Sequence, residues 1–224
     1  MSSSYRPIAL LSSVSKVFER LVYNQLVRHC LDNDHLPDEQ FGFLKGRSAE
    51  WQLLSLLQEW HSALDSRFCV HTVFLDAAKA FDRVDHTIML SHLAEIGVSG
   101  TSLSWFWSYL SGRRIRTRVD GAVSKPLQVT SGVPQGSVLG PLLYLLHLKD
   151  VPRRTDGGCA LFADDTMRHR CGCTALRQLP CCPLEGDLQQ LSVWAEETKV
   201  AFNASKSATL LVGGKSGSSS SVFT

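Results

Sequence analysis

No apolar run in this 224-residue chain approaches the roughly 18 residues that a membrane span requires, because charge, glycine or proline interrupts each one first. That absence predicts a chain that stays out of the bilayer. No charged segment followed by an apolar core and a small-residue cleavage site opens the sequence, so the pattern of a secretory leader is missing too. The seven cysteines form no even disulfide framework, and together these features predict an intracellular, reducing environment, with nucleus and cytoplasm left open. Charge of one sign is also scarce. The net charge is only +2, yet Arg113, Arg114, Arg116 and Arg118 fall within six positions, so local charge matters more than the total.

What is present is ordinary for a globular protein: 44% hydrophobic and 20% charged residues, in a chain long enough to bury a substantial core as one domain or two closely packed subdomains. The segment 213–224 is dominated by Gly and Ser and is expected to be a flexible tail.

Along the chain, Val14, Val17, Phe18, Leu21 and Val22 recur at helical spacing, which predicts a helix with that face against a core and an end before Pro37. A second helix is expected after Ser48, with Leu53, Leu54, Leu57, Trp60 and Leu64 buried. Cys69 to Leu75 is short and rich in β-branched, aromatic and aliphatic residues, so it reads as a buried strand ending at Asp76. His86 to Ile96 and Thr101 to Leu110 read as helices stopped by Gly97 and Gly112. Arg114, Arg116 and Arg118 then alternate with Ile115, Thr117 and Val119 before Asp120-Gly121, which predicts a hairpin with a basic face. Ser137 to Leu148 is helical in character, with Pro141 in its first turn. Gly158 to Phe162 pairs with the residues after Asp165, Leu188, Leu191 and Trp194 mark a late helix, and Ala208 to Val212 the last strand.

Three aspartates carry the chemistry. Asp76 follows Val73-Phe74-Leu75, and Asp164-Asp165 follows Ala160-Leu161-Phe162-Ala163; between them lies the loop Ser131-Gly132-Val133-Pro134-Gln135-Gly136-Ser137. Carboxylates at strand ends, gathered by folding, form an oxygen-rich site for a hard divalent cation. Adjacent aspartates also occur as plain turn residues, so the order of the parts carries the argument: strand then Asp76, loop then helix, strand then Asp164-Asp165.

That order resembles the reverse transcriptase domain of non-LTR (LINE-type) retrotransposons. The matching segments are Tyr5-Arg6-Pro7-Ile8, Gln40-Phe41-Gly42-Phe43 with Gly46-Arg47-Ser48, Phe74-Leu75-Asp76 with Ala80-Phe81-Asp82, Ser131 to Pro141, Phe162-Ala163-Asp164-Asp165, and Trp194 with Phe202-Asn203 and Lys206. The resemblance implies an α+β polymerase palm, an antiparallel sheet backed by helices, with partial fingers. It places fingers and connecting helices at 1–68 and the palm at 69–212. It implies RNA-directed DNA polymerisation, a nucleotidyl transfer onto a primer 3′ end using an RNA template, a DNA primer and deoxynucleoside triphosphates.

Carried over residue by residue, it makes Asp76, Asp164 and Asp165 ligands of two Mg2+ ions, with Mn2+ as a substitute. Lys206 matches a lysine near the leaving pyrophosphate. Phe81 matches an aromatic gate against the ribose 2′-hydroxyl, its alternative being a core phenylalanine. The stretch Ala77, Ala78, Lys79, Ala80 and Phe81 would cradle phosphates through its amides. Gln135 and Gly136 match a template and nucleotide contact loop. Arg6 and Arg47 would contact triphosphate or template, unless they serve surface ion pairs. Asp82 reads as a helix cap or a supporting residue, the cap being simpler. The arginine strand would track a phosphate backbone or merely solvate an edge. Cys171, Cys173, Cys181 and Cys182 with His169 suggest zinc, but their spacing departs from the usual knuckle.

The family pattern carries more fingers sequence before Arg6 and a helical thumb after the last motif. The expectation is therefore a truncated element copy that lacks a thumb. A second reading is a catalytically inactive nucleic-acid-binding remnant.

Overall fold

The computed structural model describes residues 8–173 and 184–213. In chain order the elements are α1 (Ser13–Asp32), α2 (Ala49–Asp65), β1 (Phe68–Leu75), α3 (Ala80–Arg83), α4 (His86–Glu95) and α5 (Gly100–Leu110). There follow the short strands β2 (Arg114–Ile115), β3 (Arg118–Val119), β4 (Ala122–Val123) and β5 (Leu127–Gln128), then α6 (Gly140–His147) and a 3-10 turn at Val151–Arg154. The chain continues through β6 (Gly158–Phe162), β7 (Asp165–Cys173), α7 (Glu185–Thr198) and β8 (Ala208–Val212). Two compact units result, one from Met1–Leu36 with Lys79–His147, the other from Pro37–Ala78 with Leu148–Thr224. They interleave along the chain.

The unit containing Pro37–Ala78 and Leu148–Thr224 holds a four-stranded antiparallel sheet in the order β6-β7-β1-β8. β1 lies inside it, and Cys69, Val70, Thr72 and Val73 are buried, which is why its sequence runs apolar without strict alternation. Helices lie on both faces. Glu59 of α2 accepts from His169 of β7 at 2.8 Å, whereas the next strand residue, Arg170, forms a bidentate pair with Asp187 of α7 at 2.7 and 2.6 Å. Successive strand side chains point to opposite faces, so α2 and α7 cover opposite sides.

α2 begins at its expected cap, Ser48, whose hydroxyl accepts from the Trp51 amide at 3.3 Å. Its inward face differs from the expected one. Leu53, Leu54 and Leu57 are exposed, whereas the expected Trp60 and Leu64 are covered together with Gln52, Leu56 and Ala63. The helix is rotated by about one residue because Gln52 turns inward and donates its amide to the Leu161 carbonyl at 2.9 Å. The Leu161 carbonyl, which also accepts from the Phe41 amide at 2.9 Å, thereby gains a second donor.

In the other unit α4 packs on α5 and α6, and α3 on α6. Every residue of α6 from Leu142 to His147 is buried, which accounts for the run Leu142-Leu143-Tyr144-Leu145-Leu146. Each buried leucine there contributes about 1.5–3 kcal/mol of apolar transfer. Asp85 caps α4 by accepting from Thr87 and Ile88 amides at 2.9 and 3.2 Å, and Gly97 follows at φ 89.

α1 also departs from expectation. Val14, Val17, Phe18 and Leu21 are 80%, 64%, 49% and 57% exposed, while Glu19, Leu26 and Cys30 are buried. The cause is Glu19. Its Oε2 accepts from the amides of Val138 and Leu139 at 2.8 and 3.2 Å and from the Tyr109 hydroxyl at 3.3 Å. These amides lead into α6, where unpaired N–H groups and the helix dipole favour an anion. The hydrogen-bonded carboxylate, not the apolar stripe, therefore sets which side of α1 faces in.

Candidate active site

β1 and β7 pair in a register that sets Phe74 against Met167 and Leu75 against Thr166. One step further, Asp76 falls opposite Asp165, and directly opposed antiparallel residues have Cβ atoms about 5 Å apart. The alternation of faces puts both side chains on the same side of the sheet. Asp164 sits beside them, because Ala163 and Asp164 form the two-residue turn between β6 and β7 and Phe162 pairs with Asp165. All three predicted metal ligands thus meet at one end of one sheet.

Their crowding has an electrostatic signature. Partial burial and then the charges of Asp164 and Asp76 push the Asp165 carboxyl above its ordinary range. Carboxylates gathered in this way repel one another, and a divalent cation would relieve them. The oxygen-only donor set fits Mg2+ or Mn2+.

Asp76 is anchored by a segment far along the chain. Its carbonyl accepts from the Asn203 amide at 2.7 Å, Ala77 bridges Phe202, and the Ala78 amide donates to the Ala201 carbonyl at 2.7 Å. Asn203 then shapes a turn: its Oδ1 accepts from the Ser205 amide at 3.2 Å, and its carbonyl from the Lys206 amide at 3.0 Å. This brings the Lys206 ammonium to 3.8 Å from Oδ2 of Asp76. Because the Ala78 amide is already engaged, it is unavailable to a phosphate, which narrows the expected amide cradle.

The other expected residues fall as follows. Arg47 donates through one guanidinium nitrogen to the carbonyls of Pro37, Asp38 and Gln40 at 3.1, 2.8 and 2.7 Å, and through another to the Asp38 carboxylate at 2.9 Å. Its side chain organises its own loop. Arg6, Cys181, Cys182 and the side chain of Cys173 lie outside what is described, so the zinc reading rests there; His169 is engaged with Glu59.

In the unit containing Lys79–His147, Phe81 is half-buried and stacks on the buried Tyr144, with ring centroids 4.8 Å apart at 24°. It is therefore seated on the core without being part of it. Its carbonyl accepts from the Val133 amide at 2.8 Å. Asp82 is no cap: Lys79 precedes α3, and Asp82 Oδ1 instead accepts from Gln135 Nε2 at 2.8 Å. Gly136 has φ 90, a conformation that disfavours any side chain. Asp120 and Gly121 both have positive φ, 47° and 84°, which is the tight hairpin turn expected between β3 and β4. The strand residues around them are exposed on both faces, so Arg114 and Arg118 stand in solvent.

An antiparallel sheet with helices on its faces, ending in a β1 carboxylate beside a carboxylate-bearing hairpin turn, defines a polymerase palm. The chain belongs to the reverse transcriptase (RNA-dependent DNA polymerase) family, whose pattern matches residues 1–222. It is 38% identical over 213 residues to the probable RNA-directed DNA polymerase from transposon X-element of Drosophila melanogaster, covering 92% of this chain and 23% of that protein. It is 34% identical over 224 residues to the RNA-directed DNA polymerase from mobile element jockey of Drosophila melanogaster, covering 96% and 24%. These relatives are of the non-LTR, LINE type, and the chain spans about a quarter of their length. Among solved structures, apo telomerase from Candida Tropicalis aligns with a TM-score of 0.61 at 12% identity, over 88% of this chain and 37% of that one, a likeness of fold. Among the described residues no helix is long and apolar enough to cross a membrane.

Proposed function

We propose that this chain provides the catalytic carboxylates of an RNA-directed DNA polymerase, which extends a DNA primer on an RNA template with deoxynucleoside triphosphates. The observation that carries this reading is the convergence of Asp76 and Asp165 across the β1–β7 register, with Asp164 in the adjoining turn. In the reaction the primer 3′-hydroxyl oxygen bonds to the α-phosphorus, the bond to pyrophosphate breaks, and the hydroxyl proton is lost.

Asp76, Asp164 and Asp165 would hold two Mg2+ ions, which supply acidification of the 3′-hydroxyl and neutralisation of the leaving pyrophosphate when bound. Lys206, already paired with Asp76 at 3.8 Å, brings a mobile positive charge that can follow the phosphates or give the leaving group a proton. With Ala78 engaged, the amides of Ala77, Lys79, Ala80 and Phe81 are the part of that stretch assigned to phosphate. Phe81, fixed from below by Tyr144, is assigned the exclusion of a ribose 2′-hydroxyl. Gln135 and Gly136 are assigned contacts to template and nucleotide, Gln135 being oriented by Asp82. Arg47 acts through its loop, and Arg6 is assigned to template or triphosphate.

Primer extension on an RNA template with Mg2+, comparing the chain with Asp164→Asn, tests the reading. Extension that disappears in the variant supports it. Binding that weakens steeply with salt, without any extension, means a non-catalytic nucleic-acid-binding remnant instead.

A further inference from the structure

The turn that carries Asp164 is built in an unfavourable way. Ala163 occupies the left-handed region at φ 59, where a Cβ is resisted, and its methyl can make no hydrogen bond to hold the turn. Something outside it must fix it.

The amide of Gln40 does this. Gln40 is 1% exposed, and its Oε1 accepts from the Ala163 amide at 2.9 Å and from the Gly42 amide at 2.8 Å, while its Nε2 lies 3.4 Å from the Ala163 carbonyl. Both neighbours of Oε1 are N–H donors, so the orientation of the side-chain amide is dictated. The backbone is fixed as well. The Phe41 amide donates to the Leu161 carbonyl and the Leu161 amide to the Glu39 carbonyl, both at 2.9 Å, which ties this loop to the edge of β6 through a single parallel bridge between Gln40 and Leu161. Arg47 completes the support by donating to the Gln40 carbonyl at 2.7 Å.

Gly42 is the remaining part. A Cβ there would strike the backbone nitrogen of Ala163 and lie 2.8 Å from its Cα, so only glycine lets the loop approach the turn this closely.

We propose that Gln40 is a positioning residue for the metal-binding carboxylates: its neutral amide clamps the Ala163–Asp164 turn so that Asp164 and Asp165 stay in reach of Asp76. This rests on the polymerase reading of the three aspartates and adds the device that aligns them. Glutamine is suited to the place because it offers an acceptor to two amides without adding a fourth negative charge to a crowded acidic site. Glutamate would keep the acceptors and lose the donor. Asparagine is one methylene too short to reach.

The test reads geometry and metal separately. Amide hydrogen exchange is followed by NMR in the wild-type chain, in Gln40→Met and in Gln40→Glu, and Mn2+ binding is titrated by the loss of the free-ion EPR signal. In folded Gln40→Met, the Ala163 and Gly42 amides should exchange at least tenfold faster while Val70 and Val73 of β1 keep their protection. Mn2+ affinity should fall at least tenfold. Gln40→Glu should recover Ala163 protection, and kcat of extension should drop in Gln40→Met with little change in KM for the nucleotide. Unchanged exchange at Ala163 overturns the clamp, and so does Mn2+ affinity within twofold of wild type once Ala163 has lost protection. If Gln40→Met does not fold, Gln40→Asn is measured against the same two thresholds. A wild-type chain whose Mn2+ binding is untouched by Asp165→Asn defeats the polymerase reading and the clamp together. A folded Gln40→Met that matches an active wild type defeats the clamp alone.

Discussion

The Lys206 ammonium stands 3.8 Å from a carboxylate oxygen of Asp76, on a turn that Asn203 shapes and whose Asn203 amide also holds the Asp76 carbonyl. One short segment therefore both anchors the strand end that carries Asp76 and supplies its counter-charge. Lys206 is largely exposed and Asp76 partly so, and the pair contributes below about 1 kcal/mol to stability. Its effect lies in the chemistry. Lys206→Met should leave thermal stability within about 2 °C of wild type and tighten Mn2+ binding modestly, since a competing cation is gone. Extension should slow by about 100-fold if the ammonium assists the leaving pyrophosphate. A thermal scan, a Mn2+ titration and single-turnover extension read the three effects, and an unchanged rate removes Lys206 from the mechanism.

Asp165 gives a pH dependence whose sign follows from its raised pKa. The folded state favours the protonated carboxyl more than the unfolded chain does. Its contribution to stability is therefore fully present below the ordinary aspartate range and is lost as pH rises through the raised folded value. Asp165→Asn should flatten that decline in metal-free protein, raise the neutral-pH melting temperature by about 1–3 °C, and abolish stabilisation by Mg2+. Melting curves from pH 4 to 8, with and without Mg2+, make the comparison. A destabilised metal-free variant at neutral pH would contradict the electrostatic account.

Gly42→Ala should destabilise the fold by about 2–4 kcal/mol, because the new methyl meets the Ala163 backbone, which has no freedom to retreat. Urea denaturation measures it. A loss under about 0.5 kcal/mol would show that loop and turn lie further apart than described.

Phe81→Ala should raise ribonucleotide incorporation relative to deoxynucleotide by about tenfold or more, as the space now filled by a ring seated on Tyr144 opens. Competitive incorporation assays report the ratio. Unaltered discrimination in a folded, active variant would free Phe81 of that role.

Replacing Arg114, Arg116 and Arg118 with glutamine should weaken nucleic-acid binding and reduce the slope of log affinity against log salt by about 2–3, if each neutralises a phosphate. Fluorescence anisotropy across a salt series gives the slope. No change would mean that the hairpin is simply a solvated edge.

The sequence made the strands and carboxylates legible because their information is local. Val73-Phe74-Leu75-Asp76 ends a strand by composition, and Ala208 to Val212 forms β8 at the expected bounds. The hairpin register then places Asp165 without further assumption. Orientation of α1 and α2 was not legible, since periodicity ranks faces by hydrophobicity alone. Glu19 turns inward to meet the Val138 and Leu139 amides, and Gln52 to meet the Leu161 carbonyl; each partner is distant in sequence. Gln40 escaped for the same reason, its partner Ala163 being 123 residues away. Asp82 looked like a cap because caps are local devices, whereas its partner is Gln135.

The apolar stripe Val14, Val17, Phe18 and Leu21, left facing water, bears on how this chain must be handled. Four wet aliphatic and aromatic side chains in line on one helix invite reversible self-association, which dilution, mild detergent or a polar replacement such as Val14→Lys would suppress. Titrations of ion and nucleic acid are then best run at several protein concentrations, so that colloidal losses are not mistaken for weak affinity.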